Sequence, residues 1–132
     1  MTLPAAPILL KTKLHRHPLQ TDYVLRPQLL RKLQQGLRGK LTLVVAPAGF
    51  GKSTLVASWL ATLEQNAADG ASQAVHTCWL SLDAQDSSVG RFLNYFLAAL
   101  HTACPAACPA LAQVLRSLPL PSTAYLADLL VA

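Results

Sequence analysis

The stretch Leu41-Thr-Leu-Val-Val-Ala46-Pro-Ala-Gly49-Phe-Gly51-Lys52-Ser53-Thr54 decides the fold that this sequence predicts. Its first six residues are aliphatic or β-branched, which predicts a buried β-strand ending at Ala46. Gly49 and Gly51 then permit backbone angles closed to other residues, so successive N–H groups can point at phosphate oxygens. The residues from Ser53 to Leu63 predict a helix whose positive N-terminal end faces the same anion. The stretch therefore predicts a phosphate-binding loop of the Walker A type between a strand and a helix.

Two side chains of this stretch suit a bound nucleotide. Lys52 adds a positive charge within reach of the β- and γ-phosphates, and the Ser53 hydroxyl suits a Mg²⁺ ligand. Ala46 stands where the strict pattern has glycine, a small departure at the strand end. The alternative is a glycine-rich turn that binds nothing. The predicted nucleotide-binding loop comprises Ala46, Pro47, Ala48, Gly49, Phe50, Gly51, Lys52, Ser53 and Thr54.

A second strand gives the fold class. Residues Ala74–Leu82 are largely apolar and end at Asp83, and the helix that crosses between the two strands predicts a βαβ unit. We therefore predict an α/β fold, a P-loop NTPase parallel sheet with flanking helices, of which this chain holds the N-terminal portion. Residues 1–40 are predicted to form a basic N-terminal arm and helix, and residues 41–132 an incomplete P-loop NTPase core.

Four further helices are predicted from caps and apolar spacing. Pro27 suits the first turn of a helix that ends at Gly36–Gly39. Residues 86–88 supply N-cap candidates for a helix whose apolar positions, Val89 to Leu100, step by three and four. A short helix is expected over residues 111–118. Ser122 is expected to cap a last one, which runs to the end of the chain.

Composition limits the classes of protein to consider. The chain has 132 residues, 52% of them hydrophobic and 13% charged, which is typical of a folded interior rather than disorder. It has no apolar run of about 18 residues, so no membrane span is predicted. Cys78, Cys104 and Cys108 lack the usual zinc spacings, and we expect reduced thiols in a cytoplasmic protein.

The positive charge is concentrated near the start of the chain. The net charge is +5, and 8 of the 11 lysines and arginines lie between Lys11 and Lys40. Such a segment could contact nucleic acid or polyphosphate. The favoured alternative is a solvated helix face, because no aromatic residues interleave with the charges to stack on bases.

Catalytic residues cannot be assigned from the sequence. Hydrolysis at a P-loop needs an acidic residue at the end of a second core strand and a group that polarises water. Asp83 could be the metal-side carboxylate of a small P-loop kinase or NTPase. The alternative role of Asp83 is a turn at a strand end. For the chain as a whole, a third possibility is a remnant that binds no nucleotide.

Several passages together resemble a known family. They are Lys13–Pro18, Val24–Leu33, the loop Ala-Pro-Ala-Gly-Phe-Gly-Lys at Ala46–Lys52, Trp79-Leu-Ser-Leu-Asp83, and Arg91–Leu100. Their order and spacing are similar to those of the large ATP-binding, MalT-type LuxR-family transcriptional regulators, which are STAND P-loop NTPases. The resemblance covers nearly the whole chain.

The resemblance implies ATP or ADP with Mg²⁺ as ligands, held by Lys52 and Ser53, with Val24 and Arg26 against the adenine side. ATP would act mainly as a switch ligand, and the ATP-bound form would self-associate. The acidic Walker B strand, the sensor regions and the C-terminal helix-turn-helix of the family have no counterpart in the sequence. We therefore expect the front part of a longer protein, whose contact with DNA would come from a domain outside this chain.

Overall fold

The computed structural model describes residues 8–71, 73–117 and 119–131. The chain divides into two compact units. The central unit is His17–Thr77, and the terminal unit combines Met1–Arg16 with Cys78–Ala132. The predicted division after residue 40 separates a basic segment from the predicted NTPase core, and it stays a prediction.

The described part of the central unit contains two helices. Helix α1 spans Pro27–Gly36 with its proline in the first turn, as predicted, and helix α2 spans Lys52–Ala68. The buried residues of α1 and α2 are Leu33, Ala57, Ser58 and Leu63. The indole N–H of Trp59 donates to Gln34 Oε1 at 3.2 Å, which ties α2 to α1.

The predicted parallel sheet is wrong. Helices are the only regular elements in the described ranges, and no strand is formed there. Residues 41–46 lie on the surface, with Leu41, Leu43 and Val45 exposed. Of the second predicted strand, residues 74–77 belong to the central unit and residues 78–82 belong to the terminal unit. Apolar, β-branched residues favour a strand, but a strand forms only where a neighbouring strand completes its hydrogen-bond ladder. Neither segment has such a neighbour among the residues that the structure describes.

The terminal unit contains three α-helices and two 3₁₀ turns among its described residues. The turns are Lys11–Leu14 and Ala84–Ser87, and the helices are α3 (Val89–Ala103), α4 (Pro109–Val114) and α5 (Thr123–Val131). Leu93 and Leu97 of α3, Leu111 of α4 and Leu126 of α5 form its buried core. The apolar spacing of α3 thus packs a core, as predicted.

The helix caps in this unit follow the sequence closely. The Ser88 hydroxyl accepts from the Arg91 N–H at 3.3 Å, and the Ser122 hydroxyl accepts from the Tyr125 N–H at 3.4 Å. The short helix predicted over residues 111–118 runs instead over Pro109–Val114, and Leu118 lies outside the described residues.

Within the described ranges no helix has both the length and the apolar character that a bilayer crossing requires.

Candidate functional site

The loop predicted to bind phosphate ends in an uncapped helix. Gly49 and Gly51 have φ angles of +81° and +78°, in the left-handed region that favours glycine. Gly51 is the N-cap of α2, none of the described side chains caps the helix, and its first turn contains no acidic residue. The first helical hydrogen bond runs from the Leu55 N–H to the Gly51 carbonyl at 2.9 Å. The N–H groups at positions 52–54 consequently have no partner within the described part of the chain.

Lys52 folds back across this loop. Its Nζ donates to the Ala46 carbonyl at 2.5 Å and to the Pro47 carbonyl at 3.1 Å. The Phe50 N–H reaches the same Pro47 carbonyl at 3.4 Å, which closes the turn. The ammonium group therefore lies beside the start of the loop, and the side chain of Ser53 is exposed.

Val24 and Arg26 lie in the same unit, just before α1, and both are exposed. No hydrogen bond joins either residue to the loop in the ranges that the structure describes. The structure brings Lys52 together with Ala46 and Pro47, but among the described residues it shows no hydrogen bond from Val24 or Arg26 to the loop. Their place at the adenine side stays a prediction.

The terminal unit contains an ion-pair network that the sequence did not reveal. Lys13 Nζ lies 2.8 Å from Asp83 Oδ2 and 2.5 Å from Asp86 Oδ2. Arg91 Nε donates to Asp86 Oδ1 at 3.0 Å, so two cations hold one carboxylate whose side chain is only 2% exposed. Burial of Asp86 is tolerated because both of its oxygens are paired.

The ion pairs shift the pKa values of their members. The hydrogen bond from Lys13, supported by the Asp83 N–H and by Arg91, lowers the pKa of Asp86 to about 2. The same lysine lowers the pKa of Asp83, and the two carboxylates raise the pKa of Lys13. The Asp86 carboxylate raises the pKa of Arg91. All four groups are thus stabilised in their charged forms at neutral pH.

Tyr95 completes the network. It is almost fully buried, and its hydroxyl accepts from the Leu10 N–H at 3.0 Å. Lys13 Nζ and the Arg91 guanidinium lie 5.0 Å and 5.6 Å from the centre of its ring, within the range of cation–π attraction. These contacts to Tyr95 and Arg91 hold the turn Lys11–Leu14 against α3.

Asp83 and Asp86 form a capping box around the turn between them. Asp83 Oδ1 accepts from the Gln85 N–H at 2.8 Å, and Asp86 Oδ2 accepts from the Asp83 N–H at 2.9 Å. The Asp-x-x-Asp spacing is a capping-box signal that the sequence offered. Asp86, predicted as a possible cap of α3, instead binds Lys13 and Arg91, and Ser88 caps the helix.

Comparison with known proteins gives several relatives of one kind. The chain is 36% identical over 98 residues to the HTH-type transcriptional regulator MalT of Vibrio cholerae, 74% of this chain and 10% of the relative. It is 40% identical over 101 residues to the regulator of the same name from Serratia proteamaculans, and 37% identical over 101 residues to that from Yersinia pestis. Each of these covers 76% of this chain and 10% of the relative. No protein-family model and no solved structure matches the chain.

These relatives are HTH-type transcriptional regulators. More narrowly, the sequence is that of a MalT-type regulator over the matched segment, so the predicted resemblance is confirmed. The chain spans about a tenth of the length of the curated relatives it matches.

Proposed function

We propose that this chain is the nucleotide-binding switch module of a MalT-type transcriptional regulator, and that it binds ATP or ADP with Mg²⁺ through Ala46–Thr54. The observation that carries the proposal is that one short loop holds an ammonium group and leads into three helix N–H groups that have no partner among the described residues. Lys52 supplies the ammonium, and the first turn of α2 supplies the N–H groups. Such an arrangement favours a phosphate group.

Binding requires an exchange of partners at Lys52. The ammonium group now donates to the Ala46 and Pro47 carbonyls, and it would turn from these neutral acceptors to charged phosphate oxygens. Hydrogen bonds between charged partners are stronger than those to neutral carbonyls, so the exchange favours the bound state. The exposed Ser53 hydroxyl would ligate Mg²⁺, and Val24 and Arg26 would lie at the adenine side.

The relatives, which are named transcriptional regulators, support a regulatory role for the module, and ATP would be its switch ligand. Nucleotide would control self-association of the regulator in the cytoplasm, and contact with DNA would come from a helix-turn-helix domain outside this chain. The kinase-like alternative finds no support in the geometry, because the Asp83 carboxylate is already held by Lys13 and the Gln85 N–H.

Calorimetry with Mg-ATP and Mg-ADP tests the proposal. Lys52→Ala should weaken binding by at least about tenfold, since it removes the only full charge of the loop. Lys40→Ala is the matched control, because Lys40 is an exposed lysine outside the loop and its loss should leave affinity within about twofold. Equal affinities for the wild type and Lys52→Ala, or no binding by the folded wild type, would show that the loop is not a nucleotide site.

A further inference from the structure

The outer face of α1 carries only cationic and amide side chains. Leu33 is buried and Leu29 and Leu30 are half-buried, so the apolar side of the helix packs on its own unit. The opposite positions are spaced by three and four residues, which places them on one face of the helix. These exposed outer-face residues are Gln28, Arg31, Lys32 and Gln35. Each of them can donate hydrogen bonds, and two of them carry a positive charge.

The same surface continues past the end of the helix. A groove of about 590 Å³ is lined by Gln34, Gln35, Leu37 and Arg38. Gln35 belongs to both the outer face and the groove, so the two are continuous. Lys40 follows Arg38 closely in the chain and is exposed. We refer to the outer face, the groove and Lys40 together as the α1 surface.

No carboxylate offsets the charge of the α1 surface. Residues 23–63 contain six lysines and arginines and no aspartate or glutamate. Within the described part of the chain, no ion pair involves any of the four cations of the surface, which are Arg31, Lys32, Arg38 and Lys40. A helix face that is merely solvated usually mixes both signs of charge. A surface of one sign, with amide donors between the cations, matches a polyanion.

We propose that the α1 surface binds the phosphate backbone of duplex DNA without reading its sequence. Arginine, lysine and glutamine side chains all donate to phosphate oxygens in protein–DNA interfaces. Gln28 and Gln35 are seven residues apart on α1, which is about 10 Å along the helix axis. That length covers about three phosphates of one DNA strand. The surface is therefore long enough for several backbone contacts.

The residue types favour a duplex over a single strand. Proteins hold single strands largely by stacking bases on aromatic side chains, and residues 24–49 contain no aromatic residue. The lack of stacking side chains does not weaken binding to a duplex, because its outward phosphates need only cations and hydrogen-bond donors. The choice of DNA over RNA rests on the proposed function, in which a domain outside this chain contacts DNA. Nucleotide binding at Ala46–Thr54 is not required.

Fluorescence anisotropy with a labelled DNA duplex of arbitrary sequence, in the absence of nucleotide, tests the proposal. If each of the four cations contacts one phosphate, the affinity should fall roughly hundredfold between about 50 and 200 mM salt. The double variant Arg31→Gln, Lys32→Gln loses two of these contacts. Its affinity at the lower salt should be at least about tenfold weaker, and its fall with salt should shrink to roughly tenfold.

The matched control is the double variant Lys11→Gln, Arg116→Gln. It removes two exposed cations from the terminal unit and changes the net charge by the same amount. Its affinity should stay within about twofold of the wild type, because screened charges outside the contact contribute little. Circular dichroism checks that both double variants keep their helices. A wild type that does not bind at the lower salt, or an equal loss in the two double variants, would overturn the proposal.

Competition identifies the occupant. Unlabelled single-stranded DNA, duplex RNA and poly-glutamate, each at equal total charge, should displace the labelled duplex less effectively than unlabelled duplex DNA does. If one of them displaces it equally well or better, that polyanion is the better partner and the assignment to duplex DNA is refuted. Because nucleotide is absent throughout, a negative result here leaves the Mg-ATP calorimetry unaffected, and a negative result there leaves the DNA titration unaffected.

Discussion

Replacement of Leu111 by alanine is expected to destabilise the terminal unit by about 3 kcal/mol. The side chain of Leu111 is 0% exposed and packs in the buried cluster with Leu93, Leu97 and Leu126. Truncation of a fully buried leucine costs about 2–5 kcal/mol, because the lost transfer free energy adds to the cost of the cavity. Alanine is at least as good a helix former as leucine, so α4 itself is not weakened. The whole loss therefore measures packing.

Urea titration followed by far-ultraviolet circular dichroism measures this effect. With a slope of about 1–3 kcal/mol per molar urea, the loss lowers the midpoint by at least about 1 M, or abolishes the helical signal before urea is added. Leu82→Ala is the matched control in the same unit, since Leu82 is 56% exposed and its truncation should change stability by less than about 0.5 kcal/mol. Equal midpoints for the two variants would refute the assignment of Leu111 to the core.

Three other perturbations test separate features. The free energy of unfolding should fall as the pH drops from 3.8 toward 2, because the pKa of Asp86 is depressed to about 2 and protonation breaks its pairing with Lys13. Urea midpoints measured at each pH should fall less in Asp86→Asn than in the wild type. Gly36→Ala should not raise the thermal midpoint, although alanine stabilises a helix by up to about 1 kcal/mol relative to glycine, because the new Cβ meets Thr42 Oγ1. When Thr42→Ala is added in the same chain, that clash is removed and the helix stabilisation by alanine should appear as a higher midpoint. Phosphate release from ATP should stay at background, since no acidic residue that would serve hydrolysis can be assigned; turnover that Asp83→Asn abolishes would contradict this.

The helices were predictable because their signals are local. Pro27 at the start of α1 and the Ser88 hydroxyl at the start of α3 act within one turn of their own position. The hydrogen bonds of a helix join residues four apart, so the sequence near a helix contains most of what forms it. The turn at Gly49 and Gly51 was predictable for the same reason, since only glycine adopts those φ angles readily.

The ion-pair network was not predictable, because it joins residues far apart in sequence. Lys13 meets Asp86 across 73 positions, and Leu10 meets Tyr95 across 85. The Asp83-x-x-Asp86 spacing is that of a capping box, but no local pattern identifies the cation that pairs with a carboxylate from a distant part of the sequence. The role of Lys13 comes from the fold, which brings it to Asp83 and Asp86.

The sequence by itself determined the helices, their caps, the glycine turn before α2 and the kinship with MalT-type regulators, because each depends on a few neighbouring residues or on residue identity alone. Only the tertiary structure decided the fate of the two apolar segments that had predicted a parallel sheet. Leu41–Ala46 forms no strand within the described ranges, since a strand, unlike a helix, takes its hydrogen bonds from another segment of chain. The tertiary structure likewise decided that Asp86 is buried between Lys13 and Arg91, where a charge is stable only with partners that the fold supplies.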